Sequence, residues 1–308
     1  MFERRPVRAA VLVLLFASGA AAVAQLSRGA AEYVVSGNGI VPVNVGGVPG
    51  RARIDPAAFA MPLLNTGYAN RARLKPGPFA FVNLVGPQEV RGVTAVARIG
   101  VDNAPPLKRR VGWTERPFFE GADATLGPGA LRQPVIRFVL RPSLPGERTV
   151  ALPLVDEGGM LGGWGGLYAM IQVGGQPLRV RFNPYHPHTL ATAGAGVRIA
   201  ASHDGRIGGE TRSLPIAYGI RRPVRALQLE RPLQVGPLSI TALDVRTADF
   251  GNAGTIREQG GDPDEIVVTG RRKRNISRDR LWLGADQLQR CSSIVFDKKA
   301  RRIRLTCA

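Results

Sequence analysis

Val43-Asn-Val-Gly-Gly-Val-Pro-Gly-Arg-Ala-Arg-Ile-Asp55-Pro56 returns 128 residues later as Ile171-Gln-Val-Gly-Gly-Gln-Pro-Leu-Arg-Val-Arg-Phe-Asn183-Pro184, with seven of fourteen positions identical in ungapped register. Each copy reads as a hairpin that runs into an Asp-Pro or Asn-Pro loop. The residue that opens the loop differs in chemistry: Asp55 can ionise and Asn183 cannot.

The duplication extends beyond the hairpin. Leu126-Gly127 closes the first copy and Leu283-Gly284 the second, and a terminal hairpin is expected after each, Val135 to Leu152 and Ser293 to Cys307. Between the turns lie short alternating runs such as Val90 to Ile99, cut by Gly or Pro, which predict an all-β fold. Short helices are expected at Leu63 to Leu74, Gly127 to Leu131 and Gly284 to Gln289. The lobes span 37–152 and 168–308, joined by a Gly-rich linker over 153–167. A polar, Gly-rich insertion over 251–279 has no counterpart in the first copy.

The chain starts with Arg4, Arg5 and Arg8, an apolar run from Ala9 to Ala24 and a small-residue site before Gln25, the layout of an export signal over 1–24. An exported protein of the periplasm or beyond is expected, with no transmembrane segment once the signal is cleaved. The formal net charge is +19, carried mainly by arginines scattered through the chain. Scatter of this kind reads as a solvated basic surface and points to no specific nucleic-acid site. The two cysteines, Cys291 and Cys307, are equidistant from Lys299 in the final hairpin, so they face one another across it, and a structural disulfide is expected.

The pattern Val-x-Val-x-Gly-x-Pro-x-Arg-x-x-x-Asp, a small-residue loop and a distal apolar-Gly turn before a hairpin resemble the retropepsin-like aspartic peptidases of bacterial envelopes. Two copies in one chain resemble the pepsin-type two-lobed arrangement. The resemblance implies an acid-protease fold of two pseudo-symmetric β-barrel lobes in which each lobe brings one carboxylate to a shared site. Such a pair shares a proton, because two adjacent carboxyls do not both ionise, and titrates as a unit.

This sequence departs from that pattern at the reacting positions. The family's Asp-Thr/Ser-Gly loop reads Asp55-Pro56-Ala57 and Asn183-Pro184-Tyr185. The second loop has no ionisable group, both prolines lack the hydroxyl and the N–H, and Tyr185 replaces glycine. Asp55 is the candidate catalytic residue, with Asn183 as its degenerate partner. Pro56, Ala57, Pro184, Tyr185, His186 and His188 are candidates for lining the cleft between the lobes. A zinc site from His186, His188, His203 and Asp55 is disfavoured by Pro187, which misaligns the two rings; no metal and no cofactor are expected.

The expected function is a catalytically degenerate, aspartyl-protease-like protein that binds an extended peptide or protein segment in the inter-lobe cleft. An alternative is an active aspartic endopeptidase using Asp55, either alone or with a second chain that contributes its own Asp55 lobe. A third reading concerns the insertion, where Asp264-Glu-Ile-Val-Val-Thr-Gly270 resembles a TonB box. It makes Ile266, Val267, Val268 and Thr269 candidate contacts to a TonB-type envelope partner.

Overall fold

The computed structural model describes residues 32–102, 104–157, 165–249 and 278–308. After an N-terminal strand β1 (Glu32–Val35), the first half runs β2 (Ile40–Val45), β3 (Val48–Ile54), β4 (Leu63–Asn65), α1 (Thr66–Arg71), β5 (Ala80–Val85), β6 (Gln88–Val101), β7 (Leu107–Thr114), β8 (Ala124–Leu126), β9 (Val135–Val139) and β10 (Arg148–Asp156). The second half runs β11 (Leu167–Val173), β12 (Gln176–Phe182), β13 (Leu190–Ala191), α2 (Ala193–Ser202), β14 (Gly205–Ala217), β15 (Ile220–Val235), β16 (Leu238–Arg246), β17 (Arg280–Leu283), α3 (Ala285–Leu288), β18 (Cys291–Asp297) and β19 (Arg302–Cys307). The fold is all-β.

Strands of the first half pair in the order β2-β3-β8-β4-β7-β6-β5, and those of the second in the order β11-β12-β17-β13-β16-β15-β14. The two orders correspond strand for strand, and so does the sense of each pairing: β3–β8 and β12–β17 are parallel, as are β4–β7 and β13–β16. A β2–β6 pairing closes the first set into a six-stranded barrel. Among the described residues the second set lacks the corresponding closure and continues into a twelve-stranded sheet.

The repeated Gly-Gly explains the shared start. Gly46 and Gly47 have φ of 60° and 90°, and Gly174 and Gly175 have φ of 56° and 72°. A two-residue turn that matches strand twist needs positive φ at both positions, which glycine supplies without steric cost. Strand β6 alternates in two stretches that use opposite faces: Val90 and Thr94 are buried with Glu89 and Arg91 facing out, and after the consecutive buried pair Thr94-Ala95 the buried residues are Ala97 and Ile99 with Val96 and Arg98 facing out.

Two sequence expectations change. Val135 to Leu152 is not a hairpin: β9 pairs with β1 and β18, and β10 pairs with β19 and β11. The β18–β19 hairpin inserts between β9 and β10, so the two halves share one central sheet. Phe138 on β9, Phe296 on β18 and Phe182 on β12 form edge-to-face pairs at 5.7 and 6.2 Å, joining the halves through a single core. The segment expected as a helix from Leu63 to Leu74 begins as strand β4, because Leu63 and Leu64 pair with β7 and β8, and only Thr66–Arg71 is helical. The Cys291–Cys307 disulfide forms across β18 and β19, where the two residues are direct register partners.

Candidate functional site

The same turn is built at the end of β3 and of β12. The Asp55 N–H donates to the Leu126 carbonyl at 2.9 Å, and the Asn183 N–H to the Leu283 carbonyl at 2.8 Å. Asp55 Oδ1 accepts from the Ala57 N–H at 2.7 Å, as Asn183 Oδ1 does from Tyr185 at 3.2 Å. The Asp55 and Asn183 carbonyls accept from Ala58 and His186 at 3.0 and 3.1 Å. These are Asx turns, and Pro56 and Pro184 occupy the one position in each from which no N–H is required. Gly127 and Gly284 pack at close quarters against the segments that follow these turns, Ala58-Phe59 and His188-Thr189. A Cβ on Gly127 would lie 2.6 Å from the Phe59 carbonyl oxygen, and one on Gly284 would lie 2.8 Å from the Thr189 nitrogen, so each Leu-Gly turn depends on the absent side chain.

Two side chains of the second half cross to the first loop. Arg181 Nη1 donates to the Ala57 carbonyl at 2.9 Å, and its Nη2 donates to the Tyr168 hydroxyl. The Tyr185 hydroxyl donates to the Ile54 carbonyl at 3.3 Å, and its ring lies 4.5 Å from the Arg53 guanidinium, which also stacks on Phe119 at 3.5 Å. Where prolines supply no hydroxyl, an arginine and a tyrosine tie the loops together. Gly39 makes room for the tyrosine, since a Cβ there would overlap its hydroxyl.

Asp55 is 6% exposed, and burial lifts its carboxyl from 3.8 to about 6, against the pull of the Ala57 N–H and of Arg53 and Arg181. Asn183, by contrast, lines an open cleft of about 370 Å³ together with Ala57 and His186. The remaining candidates lie elsewhere. Pro56 is buried in its turn, and Pro184 and Tyr185 line a separate pocket against Val35, Phe138 and Leu288. His186 is fixed by ring contacts to the His188 and Pro215 carbonyls at 2.8 and 2.9 Å, while His188 turns toward Asp244 at 3.5 Å. His203 caps α2 and contacts the Arg231 carbonyl at 3.1 Å, remote in sequence and partners from the other two. The TonB-box-like residues Ile266 to Thr269, the segment expected as an export signal over 1–24 and residues 158–164 of the Gly-rich linker lie outside the described residues.

The cleft is walled by both halves. From the first come Phe59, Phe118 and the β5–β6 tip from Val82 to Gly86; from the second come Tyr168, Arg181, Ile216 to Tyr218, Arg246 and Trp282. The hairpin tips meet over it. Tyr218 is 3% exposed with φ of 56°, a left-handed conformation unusual for a bulky residue, and Gly219 follows at 67°. Its ring meets Phe118 edge-on at 5.1 Å, and the Asn83 amide donates to its hydroxyl. These contacts hold the strained turn and join a small second core of Met61, Leu63, Phe81, Val85, Val90, Tyr218 and Ile220.

Strands β5 and β14 end their respective sheets, and both line the cleft. Val82 and Leu84 on β5 are 51% and 43% exposed. Sequence reasoning did not single out Arg181, Tyr218, Arg246 or Trp282. Arg181 was recoverable, because it repeats Arg53 within the matched stretch; the others carry no local pattern. A scan against protein-family models and a search of curated proteins return no match to this chain.

Proposed function

We propose that the protein is a two-lobed, aspartic-peptidase-like binding protein of the cell envelope that holds an extended peptide segment in the inter-lobe cleft without hydrolysing it. The observation that carries this reading is the pair of equivalent Asx turns, Asp55 on one and Asn183 on the other, at corresponding ends of corresponding strands. A shared-proton dyad needs two carboxyls, and only one is present. That carboxyl is buried below Ala57, with one oxygen engaged by the turn.

The cleft supports the binding part. Two sheet-terminal strands, β5 and β14, border it, and each offers backbone groups for a third, extended chain to pair with. Exposed Val82 and Leu84 flank that edge with apolar surface. The test is fluorescence anisotropy with fluorescein-labelled casein, an unfolded chain. The protein binds it, and a double variant Val82→Ser, Leu84→Ser, whose changes lie on the surface, binds at least about fivefold more weakly. Equal binding by the variant overturns the assignment of the cleft.

A further inference from the structure

Scattered basic residues carry no information singly, but the cleft concentrates them. Among the described residues four arginines line it, Arg181, Arg246, Arg278 and Arg280, with one carboxylate, Asp249. Arg222, 7% exposed, adds a fifth cation beside them: a Cβ on Gly86 at the β5–β6 tip would lie 2.8 Å from its Nε and 2.9 Å from Asp249 Oδ1. Aromatic rings hold these groups in place, Trp282 at 5.1 Å from Arg246 and Tyr168 at 4.4 and 5.2 Å from Arg181 and Arg280. Glu157 bridges Arg179 at 2.8 Å and the cleft's own Arg280 at 3.4 Å, and Asp279 lies 3.6 Å from Arg198, so among the described residues the arginines of this wall outnumber the carboxylates that pair with them.

Buried polar atoms in the same wall remain without hydrogen bonds. Arg181 and Arg222 are each 7% exposed and their Nε atoms have no hydrogen-bond partner, and neither does Asp249 Oδ1, although Arg246 pairs with the other oxygen at 2.7 Å. A buried donor or acceptor left unpaired costs about 1–3 kcal/mol, so a wall that retains two such donors and one acceptor is complementary to something rich in acceptors that also carries a donor. A carboxylate supplies the first and a peptide N–H the second. A bare inorganic anion has no donor for Asp249.

Resting on the peptide-binding reading above, we infer that the cleft selects acidic segments: an extended peptide whose Asp or Glu side chains face the cleft arginines, whose apolar side chains pack on Phe59, Phe118 and Trp282, and whose backbone donates to Asp249. Charge complementarity over a desolvated, aromatic-walled surface gives specificity through the penalty on a neutral or basic competitor.

The experiment compares three labelled decapeptides of alternating apolar and polar residues, with Asp/Glu, Asn/Gln or Lys at the polar positions, by anisotropy at low and high salt. The acidic peptide binds at least about tenfold more tightly than its amide counterpart, weakens as salt rises, and competes with casein. Exposed Arg278 allows a variant that leaves the core untouched: Arg278→Gln weakens the acidic peptide several-fold and narrows the gap between the acidic and the amide peptide. Equal affinity for the acidic and amide peptides overturns the acidic selectivity while leaving the peptide-binding reading in force. Binding of none of the three overturns both.

Discussion

At position 55 a carboxyl group sits in a turn whose twin carries an uncharged amide, and folding raises its pKa from 3.8 to about 6. A raised carboxyl pKa means that the folded state holds a proton the unfolded state has already released. The contribution is therefore harmless below about pH 4 and becomes a penalty as pH rises toward 6, worth up to about 3 kcal/mol. Asn183 demonstrates that the turn accepts an amide with its hydrogen bond intact. Asp55→Asn is accordingly expected to match the wild type in urea unfolding at pH 4 and to exceed it at pH 7; a pH-independent difference contradicts this. The reverse change, Asn183→Asp, restores a second carboxyl but leaves Tyr185 and Arg181 spanning the loops, and is expected to release no fluorogenic peptide product above background. The identity of these two residues was legible because the copies align without a gap. The proline that follows each was legible only as a loss, whereas in the folded chain it fits an Asx turn that asks for no N–H at that point.

Among the elements, the β14–β15 tip carries the contact that joins the two halves over the cleft. Tyr218→Ala removes the ring that packs on Phe118 and the hydroxyl that Asn83 binds. The expected loss is about 2 kcal/mol or more, with no offset from the left-handed backbone, because alanine keeps the Cβ that makes that conformation costly. Hydrogen exchange should rise in residues 81–90 and 214–222 before it rises in the central sheet. Reduction of Cys291–Cys307, which closes a 16-residue separation, is expected to cost about 3 kcal/mol in chemical unfolding. That pairing could be read from the chain because the partners are symmetric about a local turn. The split of β9 from β10 could not, since local patterning records which segments are strands and says nothing of a distant hairpin that slides between them. Helix α2 was hidden for a different reason. Its Ala-Gly-Ala-Gly start has low helix propensity, and it forms because Gly196 lets Val245 pack directly against it, with Thr192 as its N-cap.

On the scale of the whole molecule, one strand order is used twice and the two sets are locked by an interleaved sheet, a shared phenylalanine core and the crossing side chains Arg181 and Tyr185. The duplication was visible from the sequence; the cleft chemistry was not. Arginines are so frequent along the chain that those gathered from β12, β15, β16 and the start of β17 stand out only once the sheets bring them to one wall. The proposed function is a cleft that holds a peptide and lets it go uncut. Its most direct test is prolonged incubation of the purified protein with labelled casein from pH 3 to pH 7, reading bound and cleaved casein by mass spectrometry. The account predicts bound, intact casein at every pH at which the protein stays folded. Fragments that are suppressed by pepstatin and lost in Asp55→Asn would contradict it.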